Sequence, residues 1–311
     1  MPHTPLGPGP EFDIIRGIWN RIGGRASPAG DDCAFFKVGR EQLAISSDLS
    51  VEGTHFQVGW MSREETGWRA ATAGLSDLAA VAATPLGMTV SVGTSDEQPD
   101  DHVAELMKGA ADAAEAAGAM IWGGDIVRSE RLVLDVTVVG RMEKDPVTRG
   151  GAEVGDGLFV TGRLGGPAAA LGAWEDRREP DAAARDRFVK PVARIAEAQW
   201  LRDAGARAMI DVSDGLLADT GHLAAASNVA CVLDIDAIPV HPAAAGPEEA
   251  MTSGEEYELL LALPNGVAAA GEFSERFGLS LTRVGRVEAG SGVRVERNGT
   301  PVDGFATFRH F

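Results

Sequence analysis

Asp211-Val212-Ser213-Asp214-Gly215-Leu216 gathers two carboxylates, a hydroxyl and a glycine within six residues. Ala208-Met209-Ile210 leads in as an apolar run, and Leu216, Leu217 and Leu223 lead out at helical spacing, which predicts a strand handing over to a helix. Such a junction leaves backbone N–H groups without helical partners and collects oxygens at one spot. Asp211 and Asp214 could hold a divalent cation there, with Ser213 donating or accepting beside them. Simple capping of the next helix by Ser213 or Asp214 explains the hexapeptide equally well. The same pattern, an apolar or glycine-rich approach followed by Asp beside Ser, Thr or Gly, recurs at Gly30-Asp31-Asp32, Ser46-Ser47-Asp48, Ser76-Asp77 and Gly123-Gly124-Asp125. Each alone reads as a turn. Together they offer the hard oxygens that Mg²⁺ prefers, a few per place, with coordination positions left for phosphate oxygens.

Charge points the same way. The chain of 311 residues carries 46 acidic and 28 basic side chains, a formal net charge of −18. Such a field repels nucleic acid, and no dense Lys/Arg run overrides it; an anionic substrate would need cations to accompany it. Neither a Gly-x-x-x-x-Gly-Lys-Ser/Thr loop nor a Gly-x-Gly-x-x-Gly after a strand is present, so the two common nucleotide cradles are absent. Cys33 and Cys231 lack metal-ligand spacing and read as reduced thiols. Met1 to Pro10 lacks a signal-peptide pattern, and no apolar run approaches the roughly 20 residues of a membrane helix, so the expected setting is cytoplasmic, without a membrane partner.

Elements that must position these groups follow from periodicity. A short helix is predicted around Phe12, Ile15 and Trp19, ended by Gly23-Gly24. Ala34 to Phe36 and Leu43 to Ser46 read as paired strands. Ser62 with Glu65 forms a capping box for a helix through Leu75-Ser76-Asp77-Leu78, which Pro85 is expected to close. A strand at Met88 to Val92, a helix capped by Asp100 and a strand at Leu132 to Val139 come next. The glycine-rich polar stretch 140–156 marks a boundary, giving domains 11–145 and 146–311. Leu158 to Thr161 restarts with a strand; 173–187 reads as charged and solvent-facing, broken at Pro180. Helices near 192–204 and 266–277 and strands near 231–235, 259–263, 281–287 and 293–296 complete an α/β (α+β) chain of two comparable domains. Gly254-Glu255-Glu256-Tyr257-Glu258 is either a catalytic edge or the polar start of a strand. His55 reads first as a structural hydrogen-bonding group, Arg149 as a phosphate clamp or an exposed side chain, and Phe305 as a stacking ring or a core residue.

Seven blocks in register carry a resemblance: Gly30-Asp31-Asp32-Cys33-Ala34, Ile45-Ser46-Ser47-Asp48, Val51-Glu52-Gly53-Thr54-His55-Phe56, Leu75-Ser76-Asp77-Leu78-Ala79, Gly123-Gly124-Asp125, Asp211 to Leu216, and Gly254 to Leu259. From Glu11-Phe12 to Gly304-Phe305 the chain resembles the thiamine-monophosphate kinase family, within the superfamily of aminoimidazole ribonucleotide synthetase. The resemblance implies that superfamily's two-domain fold, with N-terminal domains pairing in a homodimer, and ATP-dependent phosphorylation of thiamine monophosphate with Mg²⁺ and K⁺. By matching motifs, Asp32, Ser46, Ser47, Asp48, Asp77, Asp125, Asp211 and Asp214 fall at metal positions. Gly124, Arg149 and Ser213 fall at ATP contacts, and His55, Glu255 and Phe305 at contacts to the thiamine phosphate. Asp31, paired with Asp32, and Asp214 are expected to serve catalysis. The rivals are another ATP-using enzyme of the superfamily with a different small acceptor, or a non-catalytic metal-binding protein. Three departures bear on the acceptor: Gly74 where the family commonly has Asn, Glu256 where it has Asp, and Phe305 where it has Trp or Tyr.

Overall fold

The computed structural model describes residues 3–26, 30–95, 101–266 and 269–305. In chain order the first half holds α1 (Pro10–Ile22), β1 (Ala34–Val38), β2 (Glu41–Val51), α2 (Arg63–Ala80), β3 (Thr84–Thr94), α3 (His102–Ala116), β4 (Ile121–Gly123), β5 (Ile126–Arg128) and β6 (Val133–Arg141). The second half holds β7 (Gly157–Thr161), α4 (Gly166–Glu175), α5 (Ala182–Val189), α6 (Ile195–Asp203), β8 (Ala208–Asp211), α7 (Leu216–Ser227), β9 (Ala230–Asp234), α8 (Pro247–Thr252), β10 (Leu259–Leu263), α9 (Ala269–Phe277), β11 (Leu281–Glu288), β12 (Gly292–Arg297) and β13 (Thr300–Val302).

Each half is built on its own sheet. Among the described residues the first runs β1-β2-β6-β3-β4, with β5 also on β3, and the second runs β13-β12-β9-β11-β7-β10-β8. Alternation along β6 buries Leu134, Val136 and Val138 beneath α2 and α3, the half-buried pattern expected of a sheet covered on one face. In the second half β10 is Leu259-Leu260-Leu261-Ala262-Leu263, buried at every position, because it lies between β7 and β8 with apolar cover on both faces.

Helix α2 is the seam. It starts on a complete capping box, Glu65 N–H donating to Ser62 Oγ and Ser62 N–H to Glu65 Oε2. Its small residues allow close approach on every side, so it touches β2, β6 and α3 of its own half and α5, α6 and β8 of the other. Gly74 faces Val136 and Val138 of β6, so the family's Asn position here serves helix–sheet contact. The halves are also joined by Trp60 stacked on Trp174, ring centres 5.2 Å apart and planes 4° from parallel, with Phe188 edge-on to both.

Several expectations are corrected. Pro85 does not close the helix: α2 stops at Ala80, Ala82 takes φ 57°, and Pro85 lies in β3 opposite Gly140, beside an irregularity in register that tolerates its missing N–H. Within 173–187, expected to face solvent, Ala173 and Ala184 are buried and residues 182–187 begin α5, whose Phe188 and Val189, just beyond that stretch, are buried too. The break before it, at Pro180, stands. Asp100 lies outside the described residues. Cys33 and Cys231 are both buried free thiols. No described helix is long and apolar enough to cross a membrane.

Candidate active site

A cavity of about 1020 Å³ opens where the two halves meet. Asp31, Asp32, Asp48, Asp77, Asp211 and Asp214 all line it, although they come from four separate places in the sequence. Strand β2 explains part of the selection. Its period of two puts Ser46 and Asp48 on the face toward α2, where Ser46 Oγ donates to Asp77 Oδ2 at 2.5 Å. Ser47 falls on the other face, where its hydroxyl donates to Asp135 Oδ1 at 2.8 Å, although Ser47 still borders the cavity. On α2, Ser76 Oγ donates to Asp211 Oδ2 at 2.6 Å, tying the first half to the end of β8.

Asp32, Asp77 and Asp211 each offer an oxygen within 4.8 Å of the others. Two of the three are disfavoured as anions there. Removal from water pushes Asp211 up to about 7, with Asp32 adding to it; Asp77 is raised by desolvation and then by Asp211, Asp32 and Asp48. Asp31 is likewise pushed up to about 7, by burial and then by Asp32, against the pull of Arg149. Arg149 is the counterweight. Its Nη2 lies 2.6 Å from Asp32 Oδ1, and its backbone N–H donates to Asp31 Oδ2 at 3.1 Å. Yet Asp32 Oδ2 is buried with no hydrogen-bond partner. An unsatisfied carboxylate oxygen beside two more carboxylates, all hard oxygen donors, fits Mg²⁺.

The loop after β8 is held by a residue whose task the sequence did not suggest. Asp219, on the first turn of α7 and buried, accepts the backbone N–H groups of Ser213 and Asp214 at 3.1 and 3.2 Å. With Asp214 and His222 it forms a second group of ligand atoms within 4.8 Å. The facing loop zips onto this one: Glu255 N–H donates to Ser213 O at 2.6 Å and Tyr257 N–H to Val212 O at 2.9 Å. A β-carbon at Gly254 would crowd the Ser213 carbonyl oxygen, which is why glycine stands there. Glu255 and Tyr257 take φ 58° and 53°, strained values for non-glycine residues, and both line the cavity.

His55 also lines the cavity, its Nδ1 accepting from Val51 N–H at 3.1 Å, which leaves Nε2 to carry the proton of the neutral ring. Glu256 faces away. It accepts from Gly165 N–H at 2.5 Å and Ser253 Oγ at 2.6 Å, and Arg187 lies 3.4 Å off. Phe305 packs on the second core rather than lining the cavity. Asp125 stands apart, exposed on the turn between β4 and β5, its Oδ1 accepting from Ile126 N–H at 2.9 Å. Gly124 beside it presses on β3 so closely that a β-carbon would overlap the Val90 carbonyl oxygen.

Burial pushes Glu256 up to about 7, with Arg187, Ser253 and Gly165 opposing. Its folded value exceeds the unfolded one, so its proton stabilises the fold fully below about pH 4.5 and that contribution is lost as pH rises through 7. Relative to Glu256→Gln, the wild type should therefore lose up to about 3 kcal/mol between pH 5 and pH 8. Thermal melts of both proteins across that range check this; parallel curves would refute it.

The chain matches the family model for AIR synthase related protein, N-terminal domain, over residues 30–142 and its C-terminal domain counterpart over 153–298. It is 33% identical over 267 residues to the thiamine-monophosphate kinase of Mycobacterium tuberculosis, covering 80% of this chain and 79% of that one. A solved complex of AaThiL with AMPPCP and TMP shares 30% identity over 97% of both chains, with a TM-score of 0.85. The thiamine-monophosphate kinase structure from Stenotrophomonas maltophilia shares 31% identity over 94% of this chain and 98% of its own, with a TM-score of 0.78. With two AIR-synthase-like domains, carboxylates converging between them and this identity along nearly the whole chain, the protein belongs to the thiamine-monophosphate kinase family.

Proposed function

We propose that this protein transfers the terminal phosphoryl group of ATP to thiamine monophosphate, giving thiamine diphosphate and ADP. The observation that carries the reading is the convergence of Asp32, Asp77 and Asp211 in a cavity shared by both halves. The family membership and the neighbour holding AMPPCP and TMP support the two substrates. An oxygen of the acceptor phosphate attacks the terminal phosphorus in line, and the bond from that phosphorus to the bridging oxygen of ADP breaks. The attacking oxygen is already anionic at neutral pH, so no strong base is needed. That accords with a cavity rich in carboxylates and, among the described residues, without a nucleophile–base pair. The work left to the chain is to bring two polyanions together and hold them in line.

In this reading Asp32, Ser46, Asp48, Asp77, Asp211 and Asp214 hold Mg²⁺, with Ser47 and Asp125 contributing from its margins and Asp31 supporting Asp32 and, with Asp214, the transfer. Bound Mg²⁺, accompanied by K⁺, neutralises phosphate charge and orients the reacting oxygens. Arg149 and Ser213 contact ATP and His55 and Glu255 contact the acceptor, while Gly124 and Phe305, expected at the same ligands, stand outside the cavity of one chain. The residues 11–145 and 146–311 act as the two domains that close on it.

Homodimer pairing through the first half belongs to the same proposal. Trp122, Ile126 and Val127 on the β4–β5 edge are each more than half exposed, with Gly124 and Asp125 between them. Covering this edge removes apolar surface from water and accounts for Asp125 standing outside the cavity. Light scattering should give twice the chain mass, and Trp122→Glu should yield monomers; an unaffected dimer would place the interface elsewhere.

The direct test is incubation with ATP, Mg²⁺ and thiamine monophosphate, with ADP and thiamine diphosphate measured by chromatography. Both products should appear in equal amounts and require Mg²⁺. ADP release with other phosphate monoesters but not with thiamine monophosphate would overturn the acceptor.

A further inference from the structure

Arg69 is a buried cation at the seam to which phosphoryl transfer gives no task. It projects from α2 and is 3% exposed. One arm, Nη1, donates to the Phe188 carbonyl oxygen at 2.7 Å, and the guanidinium lies over the Phe188 ring, 3.8 Å from its centre. Phe188 is itself fully buried and fixed edge-on by Trp60 and Trp174. The other arm, Nη2, is ion-paired with Glu255 Oε1. One side chain of the first half is thus anchored on a rigid aromatic group and reaches a carboxylate of the second half.

Glu255 needs such an anchor. Its backbone is left-handed, a conformation that local preference does not supply, and its side chain remains 24% exposed at the cavity wall. An untethered carboxylate there would sample several rotamers. A guanidinium presents a planar fork that fixes both the direction and the distance of a carboxylate, which an ammonium does not.

We propose that Arg69 is a positioning residue for acceptor recognition: it fixes the Glu255 carboxylate at the cavity wall so that it meets the cationic heterocycle of the acceptor. The inference rests on the proposed function, because it takes Glu255 as an acceptor contact. Arg69 also borders the cavity, but both arms of its guanidinium are engaged, by the Phe188 carbonyl oxygen and by Glu255, so that it acts through Glu255.

The test is a double-substitution cycle read by steady-state kinetics, varying acceptor at saturating ATP and ATP at saturating acceptor. Arg69→Gln should raise the KM for thiamine monophosphate at least tenfold with the KM for ATP changed less than twofold. Arg69→Lys should fall between wild type and Arg69→Gln. Glu255→Gln should also raise the acceptor KM, and adding Arg69→Gln to it should cause little further loss, since the two act as one unit. Multiplying losses in the double variant, or an ATP KM that rises in step with the acceptor KM, would overturn the assignment and leave Arg69 a purely structural residue. If Arg69→Gln does not fold, Arg69→Lys carries the same cycle with Glu255→Gln and the same two outcomes. Absence of thiamine monophosphate turnover by the unaltered protein would instead overturn the proposed function.

Discussion

Replacing Asp77 with asparagine is expected to lower turnover by about 10³-fold while the protein, stripped of divalent cations, melts a few degrees higher. Both effects have one source. Asp77 is held among Asp32, Asp48 and Asp211, and desolvation together with these like charges makes its ionised form unfavourable. Asparagine keeps an oxygen for the Ser46 hydroxyl, which donates there at 2.5 Å, and removes the repulsion. It also removes a charge that the cation site requires. Turnover assays and melts in the presence of a chelator measure the two arms. A loss of less than tenfold would remove Asp77 from the metal site, and a lower melting temperature would show that the carboxylates do not strain the cation-free fold.

The opposite response is expected at Arg149. Arg149→Met leaves Asp31 and Asp32 facing each other in a partly closed space, with Asp32 Oδ2 already unsatisfied. Removing one member of a buried ion pair commonly costs about 3–5 kcal/mol. The variant should therefore melt well below the wild type without divalent cations and recover much of the difference as Mg²⁺ is added, because the ion replaces the missing positive charge. Its KM for ATP should rise as well. Melting curves across a Mg²⁺ titration decide the matter: a deficit that Mg²⁺ leaves unchanged would mean that Arg149 supports the fold by packing alone.

The contrast between these two substitutions shows where the sequence was informative. The aspartates were legible because each sits at an element end beside Ser or Gly, a local pattern. The Ser62–Glu65 capping box and the Gly23 stop of α1 were legible for the same reason, since both are settled within a few residues. Ser46 and Ser47 look alike in sequence, and only the pairing of β2 with β6 reveals that their hydroxyls point to opposite faces. Asp219 was visible as a neighbour of the motif, but its grip on two backbone N–H groups appears only once α7 folds back on the loop. Arg69 gave no signal at all: its partners lie more than a hundred positions away, and nothing about an arginine in a helix announces a buried contact across two domains. The strand at Pro85 and the burial of Ala184 escaped for a related reason, tertiary contacts having overridden a local breaker and a locally polar stretch.

The near-parallel indoles of Trp60 and Trp174 give the molecule a built-in optical gauge. Two such chromophores at this separation couple their excitations, and because one indole belongs to each half the coupling depends on how the halves meet. Any nucleotide, acceptor or ion that parts or tightens the halves will therefore register spectroscopically, without a label and before any phosphoryl group has moved.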